Sequence, residues 1–302
     1  MRWPSRSTNL LRSWQLSRSY VVSVVLARWR LLGANTRAVS GQVRPMDIMA
    51  ITSLKSQSVF YAHEMVTWSL VADIDIEADR YRWMGPARFT VSALCRLINL
   101  RRYKARICYL LDAKDPLVAK QSEGAEANGP SVNSDDSAAS SDTRNGPPLK
   151  YTQFCRGRTD ASSLVLPKDW HTYDGSVTHF MASSLPWISA DAYIAPTAGI
   201  SSGHIDLIWI PEPSHRLQLV PMLTDGGKGD YLKGPHMHWH QVRALILVPM
   251  GLARNAEVKG IMDVDGEVVS CEPLAIECLP GLARMMMPNW LDEARVARRC
   301  KP

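Results

Sequence analysis

The stretch that decides the fold class is HMHWHQVRALILV, residues His236–Val248, in which polar and apolar residues first alternate and an apolar run follows. A period of two and short apolar runs are both typical of β-strands. Outward from this stretch, the same patterns predict further strands at Met46–Ser53, Tyr61–Ala72, Cys108–Leu111, Lys150–Phe154, Ser176–Ser183, Ile205–Ile210, Gly260–Asp263 and Val268–Glu272. The sequence therefore contains many short strands.

Two segments favour helices instead. Residues Gly85–Tyr103 place apolar side chains near helical spacing. Residues Ser214–Thr224 begin at a residue suited to an N-cap and end before Asp225-Gly226-Gly227, which is a typical helix stop. Many strands and few helices predict a mainly β (α+β) fold, built as an antiparallel β-sandwich.

The charge of the chain is distributed unevenly. Its formal net charge is +6, yet residues 1–46 contain eight arginines and no Asp, Glu or Lys, so the remainder is close to neutral. A nucleic-acid-binding surface needs Lys and Arg on the folded face, so we expect no nucleic-acid partner. The Arg-rich segment 1–43 resembles a mitochondrial transit peptide in composition, although its central apolar run fits that interpretation poorly.

Residues 119–148 form a polar insertion that contains no aromatic residue and a single β-branched aliphatic side chain, Val132. Such a segment buries too little apolar surface to offset its ordering entropy, so we expect a disordered insertion inside one domain. The apolar runs of the chain are too short for a membrane span. The six cysteines form no C-x-x-C pair, which favours free thiols.

The segment Val71–Phe89, VADIDIEADRYRWMGPARF, is unusually rich in acidic residues and arginine. Asp73 and Asp75 alternate with two isoleucines, and on a strand both carboxylates would share one face. Paired carboxylates suit an amine or polyhydroxyl ligand. A solvated strand face near a turn is the alternative interpretation of the same spacing.

This segment closely resembles the sphingosine kinases, a family of diacylglycerol-kinase-like lipid kinases. The resemblance continues through LINLRRYKARICYL (Leu97–Leu110), VDGE (Val264–Glu267) and AIECLPGLARMMM (Ala275–Met287). It begins near Arg44 and implies a C-terminal lipid-kinase domain over residues 44–288, followed by a basic tail, 289–302. The family's N-terminal α/β nucleotide domain has no counterpart in this sequence.

The resemblance also implies roles for individual residues. Asp75 matches the carboxylate that contacts the polar head of a sphingoid base, and ionised carboxylates accept bonds from such a group. Arg82 and Arg88 match positions that contact the phosphates of ATP, which the family binds with Mg²⁺. Gly266 and Glu267 match a loop that touches the nucleotide, although a Val-Asp-Gly-Glu stretch alone indicates only a hairpin turn.

Three further motifs of the family are not found here: a Gly-rich phosphate loop, Ser-Gly-Asp-Gly with its catalytic aspartate, and Pro-x-Gly-Ser/Thr-Gly-Asn. We therefore assign no catalytic residue and expect no phosphorylation of sphingosine by this chain as given. An incomplete form of a sphingosine kinase is the preferred hypothesis. A non-catalytic lipid-binding or kinase-partner protein, and a ceramide or diacylglycerol kinase-like fragment, remain the alternatives.

Four other features of the sequence are relevant. His236, His238 and His240 could face one side of a strand and hold zinc, but an exposed strand face without metal is favoured. Asp225–Gly229 follows a predicted helix rather than a strand, so it is no phosphate loop. By resemblance, Val91, Leu94 and Cys95 would face a peripheral membrane surface, which implies a cytoplasmic, membrane-associated protein. Ser202 and Leu279 depart from the family pattern.

Overall fold

The computed structural model describes residues 41–118, 147–159, 164–188, 192–211, 216–224, 230–234 and 236–288. Residues 1–40, most of the polar insertion, the start of the helix proposed for Ser214–Thr224, the segment Asp225–Gly229 and the basic tail lie outside these ranges. Among the helices that the structure describes, none is long and apolar enough to cross a bilayer.

The fold is a mainly antiparallel β-structure, which confirms the predicted fold class. Within the described residues the strands are β1 (Gly41–Ser53), β2 (Val59–Ala62), β3 (Met65–Ser69), β4 (Tyr103–Leu111), β5 (Trp170–Ser183), β6 (Ile205–Pro211), β7 (His238–Leu252), β8 (Met262–Val264), β9 (Glu267–Val269) and β10 (Leu274–Pro288). Their order is β2-β1-β10-β7-β4-β5-β3-β8-β9, and β6 pairs with both β5 and β7.

Two long strands, β5 and β7, connect the two layers. Residues 170–177 of β5 pair with β4, whereas residues 179–183 pair with β3 and β6. Similarly, β7 pairs with β6 through residues 238–242 and with β4 through residues 242–252. Register shifts at the changeover allow each strand to bend from one layer into the other. The main core between the layers includes Trp68, Tyr103, Phe180 and Trp209.

Helices cover one face of this framework. They are α1 (Leu70–Ala78), α2 (Ala87–Ile98) and α3 (Val220–Thr224), with 3₁₀ turns at Asp79–Met84, Gln153–Cys155, Arg216–Leu219 and Asp230–Lys233. Helix α1 continues directly from β3. Its Leu70 and Ile74 pack on Ile210 of β6 and on Leu219, so an apolar layer separates the helices from the sheet.

Three sequence predictions need correction. The predicted strand Tyr61–Ala72 is divided into β2, β3 and the start of α1. The predicted helix Gly85–Tyr103 ends at Ile98, because Tyr103 begins β4 and is completely buried. Residues 150–154 form no strand: the backbone N–H groups of residues 150–152 donate to the carboxylate of Glu277, so they are not available for a β-ladder.

Candidate functional site

The acidic segment lies on helix α1 and not on a strand, which is a correction of the sequence-based expectation. Asp73 and Asp75 therefore do not share a face, because residues two apart on an α-helix point in very different directions. The change from strand to helix occurs at Ser69, which has φ 69° and ψ −128° and is fully buried. The structure separates the two carboxylates into different roles.

Asp73 points into the protein. Its side chain is 1 % exposed, accepts a hydrogen bond from the Tyr103 hydroxyl at 3.1 Å, and lies 3.1 Å from a guanidinium nitrogen of Arg101. Burial raises the pKa of Asp73, although Arg101 and Tyr103 oppose this effect. Asp73 therefore fastens α1 to β4 and leaves no surface for a ligand.

Asp75 is half-buried on the other side of α1. Burial raises its pKa, the neighbouring Asp79 raises it further, and Arg88 lowers it. Among the described residues, no side chain donates a hydrogen bond to the Asp75 carboxylate. It is therefore able to accept bonds from a ligand.

Two more acidic groups lie near Asp75, and sequence reasoning missed both. Glu64 stands in the turn between β2 and β3, and Asp263 lies on β8, where it accepts a bond from the Thr67 hydroxyl at 3.2 Å. Burial raises the pKa of each carboxyl to about 7, and the charge of Asp75 contributes in both cases. The signal for Asp263 was its position in MDVDGE, two residues before Asp265.

Asp265 fixes the loop that was expected to touch a nucleotide. It accepts hydrogen bonds from the backbone N–H groups of His63, Glu64 and Met65 at 2.9–3.0 Å, and His63 Nδ1 lies 2.8 Å away. The loop joins β8 to β9, so the hairpin interpretation of this stretch is correct. Gly266 and Glu267 follow Asp265 and are exposed, and Gly266 has φ 84°.

The structure brings Arg82 and Arg88 together through Asp79. Arg82 donates two hydrogen bonds to Asp79, at 2.8 and 3.1 Å, and Arg88 donates one at 3.3 Å. Gly266 and Glu267 are not on this element but on the β8–β9 hairpin. The Asp75 carboxylate interacts electrostatically with groups in both places, namely with Arg88 of α2 and with Asp263 of β8.

An open apolar groove lies at the C-terminal end of α2. Its volume is about 650 Å³, and it is lined by Leu94, Leu97, Ile98, Arg102, Arg216, Leu217 and Val220. Leu94, Ile98 and Leu217 are 56 %, 74 % and 67 % exposed. Of the other two residues expected to face a membrane, Cys95 is exposed and Val91 is half-buried. Leu97 also packs against the apolar layer under α1, so the groove and this layer adjoin.

The histidines of β7 pack against aromatic rings. The ring of His238 stacks on Trp209 at 4.7 Å, and that of His240 stacks on Tyr109 at 5.4 Å. His240 is largely buried, which corrects the expectation of a uniformly exposed face. In the described parts of the chain, no group of three or more His, Cys, Asp or Glu side chains is arranged to hold a metal ion.

Comparison with known proteins shows what the chain is similar to. Residues 164–287 match the family described as YegS C-terminal NAD kinase beta sandwich-like domain. Sphingosine kinase 1 of Arabidopsis thaliana is 29% identical over 248 residues, which are 81% of this chain and 46% of that protein. Sphingosine kinase 1 of Rattus norvegicus is 26% identical over 247 residues, 81% of this chain and 56% of that protein.

The chain matches the C-terminal half of the sphingosine kinase family. It spans about half the length of the curated relatives it matches. Among solved structures, a diacylglycerol kinase from Bacillus anthracis str. Sterne aligns with 83% of this chain and 56% of its own, at 9% identity and a TM-score of 0.40. The family model and the sequence matches to sphingosine kinases confirm the resemblance to this family of lipid kinases.

Proposed function

We propose that this chain forms the lipid-binding half of a sphingosine-kinase-type enzyme, in which the γ-phosphate of ATP is transferred to the primary hydroxyl of a sphingoid base. Asp75 carries the proposal. It is a half-buried carboxylate to which no described residue donates a hydrogen bond. It follows Ile74, which packs in the apolar layer that adjoins the open groove through Leu97.

Helix α1 offers a polar contact for the head of the lipid and apolar contacts for its tail. Asp75 can accept hydrogen bonds from the ammonium and hydroxyl groups of a long-chain base, and such charge-assisted bonds are strong. The preceding residue, Ile74, packs in the apolar layer with Leu70, Ile210 and Leu219. A lipid whose head contacts Asp75 therefore has its hydrocarbon tail next to apolar side chains.

Arg82, Arg88, Gly266 and Glu267 would hold ATP in this proposal. Guanidinium groups bind phosphate oxygens with two parallel bonds, and Arg82 is well exposed, with 72 % of its side chain accessible. Asp79 is their present partner, so a phosphate would compete with that carboxylate. The exposed turn at Gly266 offers backbone next to the site. ATP brings Mg²⁺ with its phosphates, where the metal neutralises charge during transfer.

A peripheral membrane location is part of the proposal. The rim of the groove presents Leu94, Ile98 and Leu217 to solvent, although most apolar side chains of the described domain are buried. Exposed apolar patches of this kind mark sites where a protein meets a lipid surface or a partner. A kinase that draws its substrate from a cytoplasmic membrane leaflet needs such a surface.

Lipid binding by the full chain tests the proposal. We expect sphinganine to be taken up from neutral detergent micelles, and Asp75→Asn to weaken that uptake about 10-fold or more, since a hydrogen bond to a charged group contributes roughly 1.5–3 kcal/mol. Glu257→Gln is the control, because this exposed acid lies between β7 and β8. Equal uptake by wild type and Asp75→Asn would contradict the head-group assignment. Preference for diacylglycerol or ceramide would support the alternative lipid class.

A further inference from the structure

His179 of β5 is an unusual component of the apolar layer. It is 1 % exposed, and neither of its ring nitrogens has a hydrogen-bond partner. Burial lowers its pKa to about 4, so the ring is neutral at physiological pH. A neutral imidazole carries one donor and one acceptor, and leaving such groups unpaired in an apolar environment is unfavourable.

The position of His179 is defined by its strand neighbours. It lies opposite Ser69 of β3 and opposite Ile210 of β6. Ile210 belongs to the cluster under α1, together with Leu70, Ile74 and Leu219. Met181, two residues further along the same face of β5, belongs to a second cluster with Ile208 and Tyr231.

These two clusters form one continuous layer, because Met222 and Met237 pack against both. His179 therefore lies where the clusters meet, on the face of the sheet that the helices cover. The adjacent Phe180 points to the opposite face and belongs to the main core. The imidazole is thus directed into the layer proposed for the lipid and not into the centre of the sandwich.

We propose that His179 is a specificity-determining residue that bonds a hydroxyl group on the chain of the sphingoid base, near its head. This inference rests on the proposed function. A hydroxyl can both donate and accept, so one such group satisfies either nitrogen of the ring. Ser69, opposite His179, immediately precedes α1, and Asp75 lies six residues later, about 9 Å along the helix axis at 1.5 Å per residue.

A single lipid can reach both groups because its head and first carbons extend along that distance. Asp75 would bind the amine, and His179 would bind the 4-hydroxyl group of the chain, which sphinganine lacks. A base with this hydroxyl should be preferred, because a site built to hydrogen-bond a hydroxyl discriminates against the analogue without it.

The test is competitive uptake of two bases by the full chain. Equal amounts of 4-hydroxysphinganine and sphinganine are offered in neutral detergent micelles, and the bound lipids are quantified by mass spectrometry. We expect wild type to favour the hydroxylated base about 5- to 10-fold, the effect of one hydrogen bond. His179→Leu should reduce the ratio to near 1 and raise the melting temperature, whereas His179→Gln should retain part of the preference. Phe180→Leu is the matched control for a disturbed core and should keep the wild-type ratio.

The outcomes separate this inference from the proposed function. A wild-type ratio near 1, or an unchanged ratio in a folded His179→Leu variant, overturns the role of His179 while Asp75-dependent uptake of sphinganine still supports the proposed function. Uptake of neither base by wild type overturns both. If His179→Leu fails to fold, wild type and His179→Gln decide. A clear wild-type preference for the hydroxylated base that His179→Gln retains in part supports the hydrogen bond, and a wild-type ratio near 1 rejects it.

Discussion

The hydroxyl of Tyr103 donates a hydrogen bond to Oδ2 of Asp73 across 3.1 Å and thereby joins the first residue of β4 to the middle of α1. Arg101 completes the arrangement from the loop that follows α2. Asp73 thus has a structural partner on each side, whereas Asp75, on the other side of the same helix, has none among the described donors. The two carboxylates should respond differently to neutralisation.

Asp73→Asn should lower the free energy of unfolding by about 2–3 kcal/mol, because it removes the charge that pairs with buried Tyr103 and with Arg101. Asp75→Asn should change it by less than about 1 kcal/mol, or stabilise the protein, since burial already disfavours the ionised form of Asp75. Urea unfolding of both variants at pH 7 measures the difference. A large loss for Asp75→Asn would mean that this residue is structural.

Much of the fold could be predicted from the sequence, but only part of the candidate site could. Apolar runs located the strands well, because a buried strand needs apolar side chains on both faces. The segment around Asp73 and Asp75 alternates like a strand, yet it forms α1, since packing of Leu70 and Ile74 on β6 outweighs the local pattern. The proximity of Glu64 and Asp263 to Asp75 could not be predicted, because it depends on long-range strand pairing, although the stretch MDVDGE offered a signal for Asp263 itself.

Glu277 of β10 should be essential for the segment that follows the polar insertion. Its buried carboxylate accepts bonds from the N–H groups of residues 150–152 and from the Thr152 hydroxyl, at 2.7–3.0 Å. Glu277→Gln replaces an acceptor oxygen by a donor that faces other donors, so we expect a loss of roughly 2–4 kcal/mol in the free energy of unfolding. Glu257→Gln, at an exposed position, should have no measurable effect in the same urea titration.

Asp263 and Asp265 should have opposite effects on the pH dependence of stability. Burial raises the pKa of Asp263 to about 7, so the folded state holds a proton there that the unfolded state releases near pH 4. The contribution of Asp263 to the free energy of unfolding is therefore greatest at low pH, and it is lost as the pH rises to about 7. Asp263→Asn should flatten that decline and be more stable than wild type at pH 8 by roughly 2 kcal/mol, after allowance for relaxation.

For Asp265 the sign is reversed. Burial alone would raise its pKa, but the hydrogen bonds and charge of His63, with the backbone N–H groups, lower it. The stability that ionised Asp265 contributes is present above the pKa of an aspartate in the unfolded chain. It is lost as the pH falls through the lower pKa that Asp265 has in the folded state. Asp265→Asn should thus destabilise the protein at pH 6–8 and have less effect in acid. Urea unfolding of both variants between pH 4 and 8 tests the pair, and parallel curves would refute it.

Ser69 and Gly85 offer a matched test of backbone strain. Both have positive φ, 69° and 60°, with strongly negative ψ, a conformation that only glycine adopts readily. Ser69→Gly should raise the free energy of unfolding by about 1 kcal/mol, despite the loss of a small buried side chain. Gly85→Ala should lower it by about 1–2 kcal/mol. Since no atom beyond the two adjacent residues lies within 4 Å of the added Cβ, the loss is conformational. Thermal unfolding of both variants measures the two shifts, and shifts of the same sign would contradict this account.

Leu94 and Ile98 should contribute to membrane binding, because they are neighbours one turn apart on α2 and both are exposed at the rim of the groove. Transfer of each side chain into the lipid interface should contribute about 1–2 kcal/mol, so the double substitution Leu94→Glu/Ile98→Glu should reduce partition into phosphatidylcholine vesicles by 10-fold or more. Val268→Glu is the control: Val268 is 59 % exposed on β9, outside the groove, and its substitution should leave partition unchanged. Co-sedimentation with vesicles gives both values, and circular dichroism checks that the variants fold. An equal reduction by the Val268 control would point to a general effect of charge, and no reduction by the double variant would exclude this face of α2 as the membrane contact.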